Sequence, residues 1–331
     1  MQKKLRVGVA GAGYFGRFHA LKIYNSSKEE LTGIYDPNEI NAKRVSKEVG
    51  NVTICPSFEN LLEHCKAVVI AAPAEEHFSL AVKAVKAGKH VLIEKPIAST
   101  LEQADQLIAL SKESEVVLQI GHLLRYSAEQ KAISERIKRP LYIETMRIAP
   151  FKPRGVDVSV VLDLMIHDLD LIMAIVHSPI EHVAALGAAV TSEYEDIANA
   201  RVTFQNGCVA TITASRISLK TERKMRVFSE EGYLSVNFVE KQLVMIGKEK
   251  GLLLPGTNGF KREAIKWKDH DNLEKEHDAF VSSCLEGAPV VVDAMAGRNA
   301  LHAALSVIEA VNQSRTRMQC SGLLSPKKVS F

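Results

Sequence analysis

Six residues constrain this chain more than any others. Gly11-Ala12-Gly13-Tyr14-Phe15-Gly16 form a G-x-G-x-x-G turn between an apolar strand-like run, Leu5 to Ala10, and a helical stretch, Phe15 to Asn25. In that setting the first glycine permits a tight turn, the second lets a pyrophosphate approach the backbone, and the third lets helix and strand pack closely. The helix N-terminus then offers free N–H groups and positive partial charge to phosphates. Asp36 closes the next strand, Leu31 to Tyr35, 20 residues beyond Gly16. A carboxylate there accepts hydrogen bonds from a ribose diol and repels a 2′-phosphate. NAD is therefore expected over NADP, although Lys43 and Arg44 lie near enough in sequence to keep a 2′-phosphate contact open.

The rhythm that follows fits such a turn. Helix Ile40 to Val49, strand Ala67 to Ala72, helix His77 to Ala87 and strand Val91 to Ile93 come next. A helix then opens at the S-x-x-E box Ser99-Thr100-Leu101-Glu102, and strand Val116 to Ile120 follows it. Alternation of this kind implies a doubly wound parallel sheet. After Gly121 the pattern changes: a helix at Ala128 to Ile137, the run Leu141 to Ala149, a helix at Val158 to Val176, and then six strand-like runs between His182 and Ile246. Asn206-Gly207 between two of them is a hairpin signal. Helices at Leu273 to Leu285 and Asp293 to Ser314 complete the chain. The expected architecture is α/β, with a dinucleotide-binding domain over 1–121 and a second α/β domain over 122–331 built on a large, mostly antiparallel open sheet.

Composition removes other classes. With 46% apolar and 24% charged residues the chain is of ordinary globular make-up, and 331 residues suffice for two cores. Lys plus Arg exceed Asp plus Glu by only 3, with no basic stripe, so nucleic acid is not an expected partner. No apolar stretch approaches the roughly 18 residues that span a bilayer. Five cysteines, an odd number with no CxxC pair, suit a reducing cytoplasm and supply no zinc-site spacing. No metal is expected.

Two further motifs carry chemistry. Glu94-Lys95-Pro96 ends a predicted strand, and ligands of open α/β sheets sit at the carboxyl ends of strands. An ammonium there can steady the oxyanion that develops as hydride leaves, although an isolated Glu-Lys pair also reads as surface charge. Asp163 and His167 are spaced i, i+4 in an apolar setting, so that one helix face holds a histidine beside a carboxylate, the usual proton acceptor of alcohol oxidation. The competing readings are a core histidine satisfied by hydrogen bonds, and a metal site from His167, Asp168 and Asp170 that no second cluster completes.

Taken in order, the glycine turn, Asp36-Pro37, Ala72-Pro73 with His77, Glu94-Lys95-Pro96, Gly121-His122 with Arg125, and Asp163 to His167 resemble the glucose-fructose oxidoreductase and inositol dehydrogenase family (Gfo/Idh/MocA) over essentially the whole chain. The resemblance implies a Rossmann domain followed by an α/β domain whose open sheet often forms dimers or tetramers. It also implies oxidation or reduction of a carbinol of a sugar, cyclitol or sugar nucleotide. On the same basis Lys95 corresponds to the catalytic lysine, Asp163 to the substrate-orienting carboxylate and His167 to the general base. Gly11, Gly13, Tyr14, Phe15, Gly16, Asp36, Ala72, Pro73, His77, Glu94 and Lys95 would hold the cofactor, and Lys95, His122, Arg125, Asp163 and His167 the substrate.

Within the family, Val161 to Asp170, Ile197 to Arg201, Asn206-Gly207-Cys208 and Thr213 to Arg216 resemble the branch that oxidises the 3-hydroxyl of UDP-N-acetylglucosamine. In that branch an aminotransferase then makes the 3-amino sugar of some lipid A molecules. Arg201, Arg216 and Arg223 would be available to meet a diphosphate, unless the alternation of strands turns some of them away. Three alternatives stay open: a dehydrogenase of a free sugar or inositol, a dinucleotide-sensing regulator without chemistry, and an imine or linear tetrapyrrole reductase. The intact Lys95, Asp163 and His167 set counts against the last two.

Overall fold

The computed structural model describes residues 4–152, 155, 158–248, 250–268 and 270–323. Its elements run β1 (Leu5–Ala10), α1 (Tyr14–Asn25), β2 (Glu29–Tyr35), α2 (Glu39–Glu48), α3 (Phe58–His64), β3 (Ala67–Ile70), α4 (Ala74–Lys86), β4 (His90–Glu94), α5 (Leu101–Glu113) and β5 (Leu118–Gly121). They continue with α6 (Ala128–Arg136), β6 (Pro140–Ile148), α7 (Ile166–Val176), β7 (Ile180–Ala188), β8 (Ile197–Phe204), β9 (Val209–Ser215), β10 (Glu222–Ser229), β11 (Gly232–Asn237), β12 (Gln242–Gly247), β13 (Leu252–Leu253), β14 (Lys261–Lys266), α8 (Asn272–Glu286) and α9 (Ala294–Cys320). Two compact units result: Met1–Tyr126 with Asp271–Leu301, and Ser127–His270 with His302–Phe331. The change of pattern read at 121 treats the chain as two consecutive segments, whereas the structure returns 271–301 to the first unit.

In the first unit the apolar strands are buried on both faces, β3 without exception, and they pair in parallel in the order β2-β1-β3-β4-β5. The order reverses between β1 and β3, and the crevice outside the carboxyl ends at such a switch point is where ligands of doubly wound sheets bind. Helix α8 belongs to this core: Phe280 and Val281 join Val7, Val9, Ile23 and Ile34 in one buried cluster. The expected capping box is displaced by one residue, because Thr100, not Ser99, accepts the Gln103 N–H (3.3 Å), while the Gln103 side chain accepts from the Ser99 N–H. Helix α3, which the periodicity did not reveal, starts at the Ser57 cap and buries Phe58, Leu61 and Leu62.

In the second unit nine strands pair in the order β13-β14-β12-β11-β10-β6-β9-β8-β7, antiparallel except for β6 with β9. Strand β14 is a correction: Lys261-Arg262-Glu263-Ala264-Ile265-Lys266 is too charged to read as a strand, yet it pairs along the whole of β12. One face is covered. Asp168 of α7 takes a bidentate ion pair from Arg147 of β6 (2.8 and 2.7 Å), both side chains buried. At the β7 edge Ser314 of α9 donates to the Ala185 carbonyl. The other face carries Tyr142, Glu144, Met146, Thr211, Phe228 and Tyr233, with Met146 and Phe228 both 40% exposed. The stretch read as one helix from Val158 to Val176 instead opens with a π-helical turn, Val161–Met165, before α7.

Candidate active site

The first unit gathers its candidate residues at one edge of the sheet. The glycine turn follows β1, Asp36 follows β2, Ala72 and Pro73 follow β3, Glu94 ends β4 and His122 follows β5. Each glycine of the turn has its own geometry. Gly11 has φ +95°, and a Cβ there would lie 2.5 Å from the Ala71 carbonyl oxygen; at Gly16 one would lie 1.7 Å from the Gly11 carbonyl oxygen. Around Gly13 a Cβ would meet nothing within 4 Å, so this backbone faces open space.

The start of α1 has neither a side-chain cap nor an acidic residue, whereas α4 and α7, also without a side-chain cap, carry Glu75, Glu76 and Asp168 in their first turns. Side chains of Asn38, Ser57, Thr100, Ser127 and Asp271 cap α2, α3, α5, α6 and α8, whereas Gly13 gives α1 no side-chain cap and its first turn holds no acidic residue. A helix start with no side-chain cap and no carboxylate in its first turn suits a pyrophosphate. Asp36 braces the turn, its Oδ2 accepting from the Ala12 N–H (2.6 Å) and its Oδ1 from the Asn38 N–H (2.7 Å). Arg44 donates to the Ala12 carbonyl (3.2 Å), and Lys43 pairs with Glu39. Tyr14 and Phe15 project from the turn, 58% and 42% exposed. These groups fit an adenine dinucleotide.

His77 and Glu94 shape the middle of this edge. The buried His77 ring bridges the Pro96 carbonyl (Nδ1, 2.7 Å) and the Ala72 carbonyl (Nε2, 2.9 Å), so it holds the walls of the path together instead of facing along it. Burial lowers its pKa against the pull of those two carbonyls, and a neutral ring donates to one of them at a time. Glu94 Oε1 meets His19 Nε2 (2.9 Å), and its Oε2 accepts from the Lys95 N–H (3.2 Å). Burial pushes the Glu94 carboxyl up, but the His19 hydrogen bond and the charges of His19, Lys95 and His77 outweigh it and hold the pKa below the usual range. Lys95 is half-buried; His122 is buried and Arg125 half-buried in the 3-10 turn Leu123–Tyr126 that follows.

Asp163 and His167 belong to the second unit. Asp163 lies in the π-helical turn, a feature common at functional sites, and the Gly155 backbone packs against its carboxylate: a Cβ there would stand 3.1 Å from Oδ2. His167 sits in the first turn of α7, beside Asp168, whose ion pair with Arg147 fixes that turn to the sheet. The three arginines diverge. Arg216 is 4% exposed and spent on Asp196 (2.8 Å), on the Val158 and Gly155 carbonyls and on Ser192 Oγ, so it is not available to a diphosphate. Arg201 pairs in register with Thr211 and so lies on the open face; Arg223 pairs with Arg147 and lies on the covered one. Those two therefore point to opposite sides of the sheet.

Sequence reasoning passed over His19, Glu276 and His277. In the structure all three are buried close to Glu94, His19 Nδ1 lying 3.0 Å from His277 Nε2 and His277 Nδ1 lying 2.9 Å from Glu29 Oε1. Only the helical spacing that places His19 on the buried side of α1 hinted at it. His19, Glu94 and Glu276 bring a nitrogen and two carboxylates within 4.8 Å of one another, and the His19 Nε2 is already committed to Glu94. His167, Asp168 and Asp170 form no such group among the described residues.

Comparison with known proteins agrees with this geometry. Residues 5–122 match the model of the oxidoreductase family with an NAD-binding Rossmann fold, GFO/IDH/MocA, and residues 149–235 match a GFO/IDH/MocA C-terminal domain. The chain is 39% identical over 308 residues to UDP-N-acetylglucosamine 3-dehydrogenase of Acidithiobacillus ferrooxidans, covering 93% of this chain and 97% of that one. It is 24% identical to myo-inositol 2-dehydrogenase of Thermotoga maritima over 94% and 98% of the two chains. A solved structure of the Acidithiobacillus ferrooxidans enzyme superposes with a TM-score of 0.88 over 94% of this chain and 99% of that one.

Proposed function

The chain belongs to the Gfo/Idh/MocA family of oxidoreductases, and from that premise we propose that it oxidises a secondary hydroxyl of a sugar nucleotide with NAD, first among candidates the 3-hydroxyl of UDP-N-acetylglucosamine. The uncapped start of α1, with open space before Gly13, is the single observation that carries a dinucleotide-dependent reading. The 39% identity to a 3-dehydrogenase, over an alignment that covers 97% of that enzyme, supports the substrate.

In this reading the first unit holds the dinucleotide and the second the sugar. Gly11, Gly13, Gly16, Tyr14 and Phe15 cradle the pyrophosphate end, Asp36 takes the ribose diol, and Ala72, Pro73, His77 and Glu94 line the path to Lys95. A dinucleotide held by these residues would supply the hydride acceptor. Lys95 steadies the alkoxide, His167 takes the hydroxyl proton, Asp163 orients the sugar, and His122 and Arg125 complete its pocket. His167→Ala should lose roughly 10² to 10⁴ in rate while still binding NADH. Of the three arginines only Arg223, on the covered face, is retained as a diphosphate contact.

The open face of the second unit, with Tyr142, Phe228, Tyr233 and Met146, is the surface we assign to a homodimer or homotetramer. An aminotransferase would consume the keto sugar, and a cytoplasmic setting suits five free cysteines. No helix among the described residues is long and apolar enough to cross a membrane.

The test is NADH formation at 340 nm with UDP-N-acetylglucosamine, run against UDP-glucose, free sugars and inositol, with an aminotransferase as a trap for the ketone. Turnover of the sugar nucleotide is expected; turnover of free polyols alone would move the substrate to the inositol side of the family. Arg44 beside Ala12 supports a second reading for the cofactor, tolerance of NADP. A kcat/KM with NADP equal to that with NAD would favour it.

A further inference from the structure

We propose that His19 is a positioning residue of the dinucleotide site: held as a donor by His277 of α8, it keeps the Glu94 carboxylate at the end of β4 turned as a hydrogen-bond acceptor for a ribose hydroxyl of the dinucleotide. The role rests on the dehydrogenase reading and extends the site to two histidines that the reading does not use.

Glu94 is clasped on three sides. His19 Nε2 lies 2.9 Å from Oε1, and the Lys95 N–H donates to Oε2 (3.2 Å). The Gly121 backbone of β5 packs so close that a Cβ there would stand 3.1 Å from Cδ and 3.2 Å from Oε2. A carboxylate offers about four lone-pair sites, so these two hydrogen bonds leave acceptor capacity for an O–H from outside. Such an O–H can reach Glu94 and not His19, because the Glu94 side chain is 12% exposed and that of His19 0%. His19 therefore acts on a ligand only through Glu94. A binding group whose rotamer is locked before the ligand arrives loses no affinity to being ordered.

The direction of each hydrogen bond follows from the carboxylate. An ionised Glu94 only accepts, so the proton of their bond sits on His19 Nε2. A neutral His19 ring then has a bare Nδ1, and the His277 Nε2 that meets it at 3.0 Å must donate. His277 Nδ1 meets Glu29 Oε1 at 2.9 Å, a bond that stands with the proton on either partner. The other tautomer of His19 would set a bare nitrogen against a carboxylate and an N–H against another N–H. His277 thus selects the tautomer in which His19 serves Glu94. Both rings are buried, so neither depends on water for its partner.

Electrostatics favour the same arrangement. Burial pushes the Glu94 carboxyl up, and the His19 hydrogen bond heads the interactions that hold it below the usual range, followed by the charges of His19, Lys95 and His77. Burial lowers the His19 pKa against the pull of Glu94, which leaves a neutral ring with one N–H to give. The charged and titratable groups that face Glu94 are His19 from α1, Lys95 beside it, His77 from α4 and Glu276 from α8. Those that face His19 are Glu94, His277 and Glu29. Without the His19 donor, burial meets less opposition, and the Glu94 carboxyl keeps its proton to higher pH.

The test is the affinity of the full-length protein for NADH, read by nucleotide fluorescence between about pH 6 and 9. In His19→Phe, Glu94 should carry a proton at the acid end and release it as pH rises. The ratio of variant to wild-type Kd should therefore be about ten or more at the acid end and fall as pH rises. In His19→Gln, whose amide can donate to Oε1, the ratio should stay near one throughout. In a Glu94→Gln background, adding His19→Phe should weaken binding no further. A ratio for His19→Phe that does not change with pH, as loss of packing alone would give, overturns the role, and so does a further loss in the Glu94→Gln background. A wild type that binds no NADH at any pH would instead remove the dinucleotide reading itself. Should the variants not fold, ¹⁵N-histidine NMR of the wild type decides: His19 should show a protonated Nε2 and a bare Nδ1, and the reverse tautomer would sink the proposal.

Discussion

The two units bury charge in opposite ways. In the second, each buried aspartate beside a buried arginine is locked to it: Asp168 by Arg147, and Asp196 by Arg216 together with the amides of Val190, Thr191 and Ser192. In the first, Glu94, Glu29 and Glu276 sit among imidazoles and apolar packing. A guanidinium never gives up its proton, so these two pairs are permanent, although the same unit also buries Glu129 against the His270 imidazole (3.3 Å). An imidazole takes or gives one near neutral pH, so the first unit's protons can move. One chain thus uses fixed pairs to hold a helix on a sheet and exchangeable ones at the carboxyl end of β4.

The same chemical change made in both units should separate them most. Asp196→Asn leaves Arg216 buried without its anion and should cost about 3 to 5 kcal/mol, read by urea unfolding with Trp267 fluorescence. A loss under about 1 kcal/mol would mean that this pair is not fixed in the sense argued. Arg147→Met should cost a similar amount, and adding Asp168→Leu should recover most of it, because two apolar groups replace a desolvated pair; a double variant no better than the single one breaks the comparison from that side.

Acid should then act in opposite directions. For Asp196, burial alone would raise the pKa, but the Thr191 amide, Arg216, the Val190 amide and Ser192 hold it far below the usual carboxylate range. A depressed folded pKa contributes stability that is present above the unfolded value and lost as pH falls through the folded one. For Glu276, burial and Glu94 raise the folded pKa, so its contribution is present below the usual carboxylate range and lost as pH rises above it. Hydrogen exchange read peptide by peptide should show 190–216 opening faster in strong acid, and 272–286 opening faster as pH climbs past the usual carboxylate range. The smallest effect expected is that of Glu276→Gln. It mimics the neutral acid, so it should change stability by under about 0.5 kcal/mol at pH values below the usual carboxylate range, and it should abolish the loss that the wild type shows as pH rises. A large loss would show that Glu276 is ionised and paired after all.

What the sequence made legible was local. The glycine turn, Asp36 at the end of β2 and Lys95 at the end of β4 are each read within one strand and the turn after it. His19 and His277 stand 258 residues apart, and no periodicity links them. The commitment of Arg216 depends on carbonyls at 155 and 158 and on Asp196, all of which arrive only with the tertiary fold. Strand β14 was hidden because an edge-side strand tolerates charge at alternate positions that a buried strand does not. The π-helical turn at Asp163 has the composition of an α-helix, so only backbone geometry distinguishes it.

Helix α8 returning to the first unit has a consequence for synthesis. A ribosome delivers β1 to β5 well before Glu276, His277 and Phe280 emerge. Until then His19 and Glu29 lie under no helix, and the apolar cluster around Ile23 and Ile34 lacks Phe280. The dinucleotide-binding half, although first in the chain, is therefore among the last parts to be finished, and a fragment ending at residue 121 would carry the glycine turn without the layer that closes over it.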